Sequence, residues 1–128
     1  MHRPAPETPI RVLVVEDDDP LREAMAHVLS RAGYEVVAVS NGADAVERGH
    51  AGRPDAAVID VFLRDAGGLG VARGLRDDWA DVPVLFVTGL GLPAVREALA
   101  PAPVLFKPFT RRQLLESLRA VAGPGRTP

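Results

Sequence analysis

Cysteine is absent from this chain. That excludes a disulfide frame and a thiolate metal site, and it fits a reducing compartment. No apolar stretch approaches the roughly 18 residues a membrane span needs, and no signal-peptide apolar region follows Met1. A cytoplasmic location without a membrane partner is expected. The net charge is only −2, so no bulk electrostatic force draws the chain to nucleic acid or anionic lipid. No Gly-Lys-Ser/Thr phosphate loop occurs, which disfavours nucleotide hydrolysis. Gly67-Gly68 and Gly89-Leu90-Gly91 are too sparse for a dinucleotide loop and read as loops hugging a site. His2, His27 and His50 fit no metal spacing and read as surface or helix residues.

What is present suits one domain with one core: 128 residues, 47% of them hydrophobic. Residues 1–9 hold three prolines, and 123–128 are rich in Pro and Gly. Both read as frayed ends around a domain over 10–122. Between them, strand-like and helix-like segments alternate. Arg11–Val15 is apolar without alternation, as in a strand buried on both faces. Asp19 is expected to cap a helix with Pro20 at its first position, with Leu21, Met25, Val28 and Leu29 on its apolar face and Gly33 as its stop. Tyr34–Val39 reads as a strand, and Asn41-Gly42 opens a weaker helix ending near Gly52. Asp55–Asp60 reads as a strand. Leu69–Trp79 reads as a helix weakened by Gly70 and Gly74, with Ala72, Leu75 and Trp79 on one stripe. Val82–Val87 reads as a strand, Pro93–Ala100 as a short helix stopped by Pro101, and Pro103–Phe106 as a strand. Thr110 and Gln113 form a capping box, and Phe109 can staple to Leu114 at the start of a last helix running to about Ala122. Five such units in series imply an α/β fold, a doubly wound parallel sheet with helices on both faces and a shortened fourth helix.

Four of the apolar runs end in groups suited to phosphate chemistry: Glu16-Asp17, Asp60, Thr88 and Lys107. In such sheets ligands bind at the carboxyl ends of the strands, so all of these groups would emerge at one edge. Each has an ordinary alternative: a solvated acidic turn with a helix cap, a turn residue, a surface charge. Their joint placement is what argues for a site. Adjacent carboxylates repel, and a divalent cation relieves that repulsion. Mg²⁺ takes oxygen ligands and typically one or two carboxylates plus phosphate oxygens. A carboxylate such as Asp60 can also be a nucleophile that forms an acyl phosphate. Lys107, ahead of Pro108, would serve phosphate as a point charge.

These residues resemble a receiver domain of bacterial two-component signalling. Val12–Asp18 resembles the first strand and acidic pair, Asp60–Leu69 the phosphoacceptor loop, Thr88-Gly89 the hydroxyl signature, and Lys107-Pro108-Phe109 the Lys-Pro signature. The resemblance covers about residues 10–122. It implies the flavodoxin-like strand order 2-1-3-4-5. It implies that Asp60 accepts phosphate from a sensor histidine kinase or a histidine phosphotransfer protein. Mg²⁺ would be held by Asp17, Asp60 and the backbone carbonyl of Phe62, with Glu16 reaching it through water. Lys107 would pair with Asp60, Thr88 would turn toward the phosphate, and Lys107–Pro108 would be cis.

The chain departs from the common pattern at Arg64, where Pro is frequent, and at Gly67, where an acidic residue is frequent. Val104 stands at the usual aromatic switch position, and the stretch from Thr88 to Lys107 is short. The short stretch and Phe86-Val87-Thr88-Gly89 resemble a proteobacterial single-domain subgroup with a Phe-Ala-Thr-Gly motif, and also receivers attached to hybrid kinases. A stand-alone phosphoacceptor is expected, a monomer or weak dimer that binds an unidentified output protein or acts as a phosphate sink. No DNA-binding domain follows Ala122, so direct transcriptional control is not expected. Two alternatives stay open: a metal-dependent phosphohydrolase of similar topology, disfavoured because Phe62 stands where a second Asp is usual, and an interaction module that is never phosphorylated.

Overall fold

The computed structural model describes residues 9–122. The frayed ends expected over 1–9 and 123–128 lie, Pro9 apart, outside the described residues, as does His2. Five parallel strands, β1 (Arg11–Val15), β2 (Glu35–Val39), β3 (Ala56–Asp60), β4 (Val84–Thr88) and β5 (Val104–Phe106), form one sheet in the order β2-β1-β3-β4-β5. The helices are α1 (Asp19–Arg31), α2 (Gly42–Ala51), α3 (Gly68–Asp78), α4 (Pro93–Leu99) and α5 (Arg111–Ala122). None is long and apolar enough to cross a membrane.

The central strands lack alternation because both faces are covered. Leu13, Val15, Ala57, Ile59, Val84 and Phe86 pack with Ala45, Val71, Ala72, Leu75 and Leu99 of α2, α3 and α4. Val12, Val14, Ala56, Val58, Leu85 and Val87 pack with Met25, Leu29, Leu114 and Leu118 of α1 and α5. Two apolar layers thus clamp one sheet, not a single one-sided core.

The expected elements are all present, with shifts at their ends. One cap is corrected. Asp18, not Asp19, caps α1: it has the extended backbone a cap needs, and its carboxylate accepts the Leu21 N–H at 3.0 Å. Asp19 is already helical and pairs with Arg22 one turn on, at 2.7 Å. Gly33 supplies the expected stop, in the left-handed conformation at φ 101°. The capping box of α5 is complete, with Thr110 N–H donating to Gln113 Oε1 at 2.8 Å and Gln113 N–H to Thr110 Oγ1 at 3.1 Å. Phe109 packs against the apolar layer that contains Leu114. Trp79 ends α3 as its C-cap and packs against the layer that holds Ala72 and Leu75, as the expected stripe requires. Its indole N–H donates to the Gly49 carbonyl at 2.7 Å, tying α3 to α2.

Candidate functional site

The site is built from strand ends. β1, β3 and β4 are in register, with Val15 beside Ile59 and Asp60 beside Val87. The residues at or just after their carboxyl ends are therefore carried to one rim. Glu16, Asp17 and Asp60 each bring a carboxylate oxygen within 4.8 Å of the others. Glu16 is 1% exposed and Asp60 7%. Lys107 enters from the end of β5, held by its own N–H donating to the Thr88 carbonyl at 2.7 Å. Its ammonium donates to Asp60 Oδ2 at 3.2 Å and lies 2.6 Å from Glu16 Oε1. The bond from Lys107 to Pro108 is cis, as expected, and so is Ala100–Pro101, which was not anticipated.

Burial pushes the Glu16 carboxyl above its ordinary value; Lys107 opposes this and Asp60 adds to it. Burial alone would depress the Lys107 ammonium, but Glu16 and then Asp60 more than offset it and hold its pKa above the ordinary lysine value. Three acids face two cations, Lys107 between Glu16 and Asp60 and the exposed Arg64 beside Asp17, which leaves net negative charge. Glu16 Oε1 is buried and held as an ion pair against the Lys107 ammonium. An all-oxygen set of three clustered carboxylates with net negative charge fits a hard divalent cation such as Mg²⁺.

Asp60 Oδ1 accepts the Phe62 N–H at 3.0 Å. Thr88 is fully buried, and its hydroxyl accepts the Leu90 N–H at 3.1 Å, so it faces its own loop and not the carboxylates. Asp60, Phe62, Gly89, Leu90 and Lys107 line an open cavity of about 410 Å³. Phe62 and Leu90 are large apolar side chains left 57% and 46% exposed beside it. Glu16, Asp17, Asp60, Phe62 and Lys107 therefore meet at one rim, while Thr88 stands at the end of β4 with its hydroxyl on the Leu90 N–H. His27 and His50 are exposed and outside it, and His50 pairs with Asp78.

Three supports were not anticipated. Gly68 donates its N–H to the Val61 carbonyl at 2.7 Å and packs directly on the Asp60 backbone, where a Cβ would lie 2.3 Å from the Asp60 carbonyl oxygen. Asp65 accepts the N–H groups of Gly42 at 3.0 Å and Ala43 at 3.2 Å. This pins the loop after β3 to the start of α2, and the Gly42 N–H above all holds the Asp65 carboxyl below its ordinary value. Arg64 donates its N–H to Asp17 Oδ2 at 3.2 Å, with its guanidinium 3.6 Å from the same oxygen. The only signal for any of them in the chain is the glycine pair at 67 and 68.

A family model described as the response regulator receiver domain matches residues 12–119. The response regulator MprA of Mycolicibacterium vanbaalenii is 38% identical over 88% of this chain and 50% of its own length. The probable transcriptional regulator ycf27 of Guillardia theta is 35% identical over 90% of this chain and 46% of its own length. The chain thus spans about half the length of these relatives. Among solved structures, the chemotaxis protein CheY4 of Vibrio cholerae has a TM-score of 0.82 at 28% identity, covering 89% of this chain and 99% of that one. The receiver domain of the sensor histidine kinase PA1611 of Pseudomonas aeruginosa, with a magnesium ion coordinated in its active-site cleft, has a TM-score of 0.81 at 29% identity, covering 91% of this chain and 99% of that one.

Proposed function

The chain belongs to the response regulator receiver domain family, and on that premise we propose that Asp60 accepts a phosphoryl group from a sensor histidine kinase or a histidine phosphotransfer protein. A carboxylate oxygen of Asp60 attacks phosphorus, the P–N bond to the donor imidazole breaks, and the electron pair leaves with the imidazole nitrogen. The product is an acyl phosphate on Asp60. Lys107 neutralises charge on the phosphoryl oxygens as a point charge, already held beside Asp60 before the reaction. Asp17, Asp60 and the Phe62 carbonyl would hold Mg²⁺, with Glu16 reaching it through water. The ion's contribution is electrostatic stabilisation of the transferring phosphoryl group.

The observation that carries this reading is the convergence of Glu16, Asp17 and Asp60 within 4.8 Å, with Lys107 on the same point. The magnesium ion in the PA1611 receiver cleft supports it. The domain acts in the cytoplasm and signals by binding an output protein, or drains phosphate from its kinase. The relatives it matches are about twice as long, and the output partner is proposed as a separate protein. Incubation with Mg²⁺ and acetyl phosphate, followed by intact mass, tests the reading. A stable gain of one phosphoryl group, lost in Asp60→Asn, supports it. Steady phosphate release without a labelled protein would indicate a phosphohydrolase, and no change an interaction module.

A further inference from the structure

Val104 occupies the place where an aromatic ring commonly answers the site hydroxyl, and it cannot do so here. It is Phe86's neighbour across the sheet and packs into the apolar layer beneath α4. The ring stands two residues on, at Phe106. Thr88 and Phe106 are register partners on β4 and β5, so their side chains share a face with Phe86 and Val104. The guanidinium carbon of Arg96, on α4, lies 4.9 Å from the centroid of the Phe106 ring.

A second path joins the same residues. Thr88 Oγ1 accepts the Leu90 N–H at 3.1 Å, the Leu90 carbonyl accepts the Leu92 N–H at 2.9 Å, and the Leu92 carbonyl accepts the Val95 N–H at 3.0 Å. Val95 precedes Arg96. The contacts therefore close a ring: Thr88 to the 89–92 loop, to α4, through Arg96 to Phe106, and back across the sheet to Thr88. The helix inside this ring is weakly held. It has seven residues, only Leu99 buried among them, and no side-chain cap.

We infer that Arg96 stacked on Phe106 is a latch that holds α4 against β5, and that Thr88 opposes it by releasing the 89–92 loop when its hydroxyl turns to a phosphoryl group. The inference rests on phosphoryl acceptance at Asp60 and on the turn of Thr88 that the resemblance to receiver domains implies. Once Thr88 Oγ1 leaves, the Leu90 N–H loses its acceptor and the hydrogen-bonded path to α4 is cut at its root. The Arg96–Phe106 stack then remains as a side-chain contact between the helix and β5. The coupling is reciprocal: a weakened latch makes the phosphoryl-bound arrangement easier to reach.

The test is titration of the ¹⁵N-labelled full chain with beryllofluoride in the presence of Mg²⁺, read from amide shifts. Arg96 is exposed, so Arg96→Ala keeps the fold. It should bind beryllofluoride about two- to fivefold more tightly than wild type, the range that one exposed cation–π contact supports. It should also speed amide exchange at Val95 without ligand. Arg96→Lys keeps a cation and should fall between the two, and Phe106→Leu should shift the same way as Arg96→Ala. Arg73→Ala removes an α3 arginine with no ion pair among the described residues, and should change nothing. In a Thr88→Val background, Arg96→Ala should add no further effect. Unchanged affinity in Arg96→Ala, or an equal change with Thr88→Val present, overturns the latch while leaving phosphoryl acceptance standing. A wild type that binds no beryllofluoride at Asp60 overturns both.

Discussion

Gly68→Ala is a substitution most helices would welcome, and here it should be costly. The Cβ it adds would lie 2.3 Å from the Asp60 carbonyl oxygen, 2.8 Å from Val61 Cα and 3.0 Å from the Asp60 carbonyl carbon. Ordinary contact begins near 3.4 Å, and every colliding atom is backbone, so no side chain can swing away. Relief requires α3 to move off the end of β3, breaking the 2.7 Å bond from Gly68 N–H to the Val61 carbonyl. Overpacking of this kind costs about 1–3 kcal/mol. Gly70, two residues along the same helix, is the internal control, because a Cβ there meets nothing within 4 Å. Gly70→Ala should stabilise by about 0.5–1 kcal/mol through helix propensity. The two variants should therefore differ by about 1.5–4 kcal/mol in opposite directions from wild type. Urea unfolding followed by Trp79 fluorescence measures both, since the half-buried indole bridges α3 to α2. Gly68→Ala as stable as Gly70→Ala would refute the claim that α3 rests on the Asp60 backbone.

Four further outcomes are expected. Asp60→Asn should abolish phosphoryl acceptance, by intact mass, while circular dichroism and the unfolding midpoint show a folded domain. Asp17→Ala should weaken Mg²⁺ binding at least about tenfold by calorimetry, the loss that even an outer-sphere partner produces, with Glu16→Gln costing less; equal losses would reverse the ligand assignment. Phe62→Asn should speed loss of phosphate, followed by radiolabel in Mg²⁺, because Phe62 shields the cavity and cannot orient water; the gain should stay short of the roughly 10²-fold of a fully placed general base. The pH dependence of stability without Mg²⁺ follows from two raised pKa values. Glu16 lies above its ordinary 4.5, so the fold binds its proton more tightly than the unfolded chain does. Its contribution is fully present below pH 4.5 and is lost as pH rises through the raised value. Lys107 lies above its ordinary 10.5, and its contribution is lost only as pH rises through that higher value. Urea midpoints from pH 4.5 upward should fall less steeply in Glu16→Gln than in wild type.

Much of this protein was legible in the chain because the governing signals are local. A buried parallel strand is an apolar run without alternation, and Arg11–Val15, Ala56–Asp60 and Val84–Thr88 carry that mark. Gly33, Asn41 and the Thr110–Gln113 box punctuate helices through contacts spanning only a few residues. The site followed from topology, since parallel strands present their carboxyl ends at one rim, and Glu16, Asp17, Asp60, Thr88 and Lys107 all sit there.

Tertiary structure decided what depends on distant partners. Asp18 and Asp19 are chemically equal candidates for a cap, and only the backbone angles at the turn chose Asp18. Asp65 caps a helix 23 residues upstream, a separation at which no periodicity exists to read. Glu16 is buried beside Asp60 and Lys107, which the ends of β3 and β5 bring to it from 44 and 91 residues away, and nothing near residue 16 reports that. The stack of Arg96 on Phe106 depends on where a seven-residue helix settles against an edge strand. Backbone propensity and apolar pattern act over a few residues and are written along the chain. The charge balance of the site and the restraint on α4 arise where separate loops meet, and only the folded arrangement sets those distances.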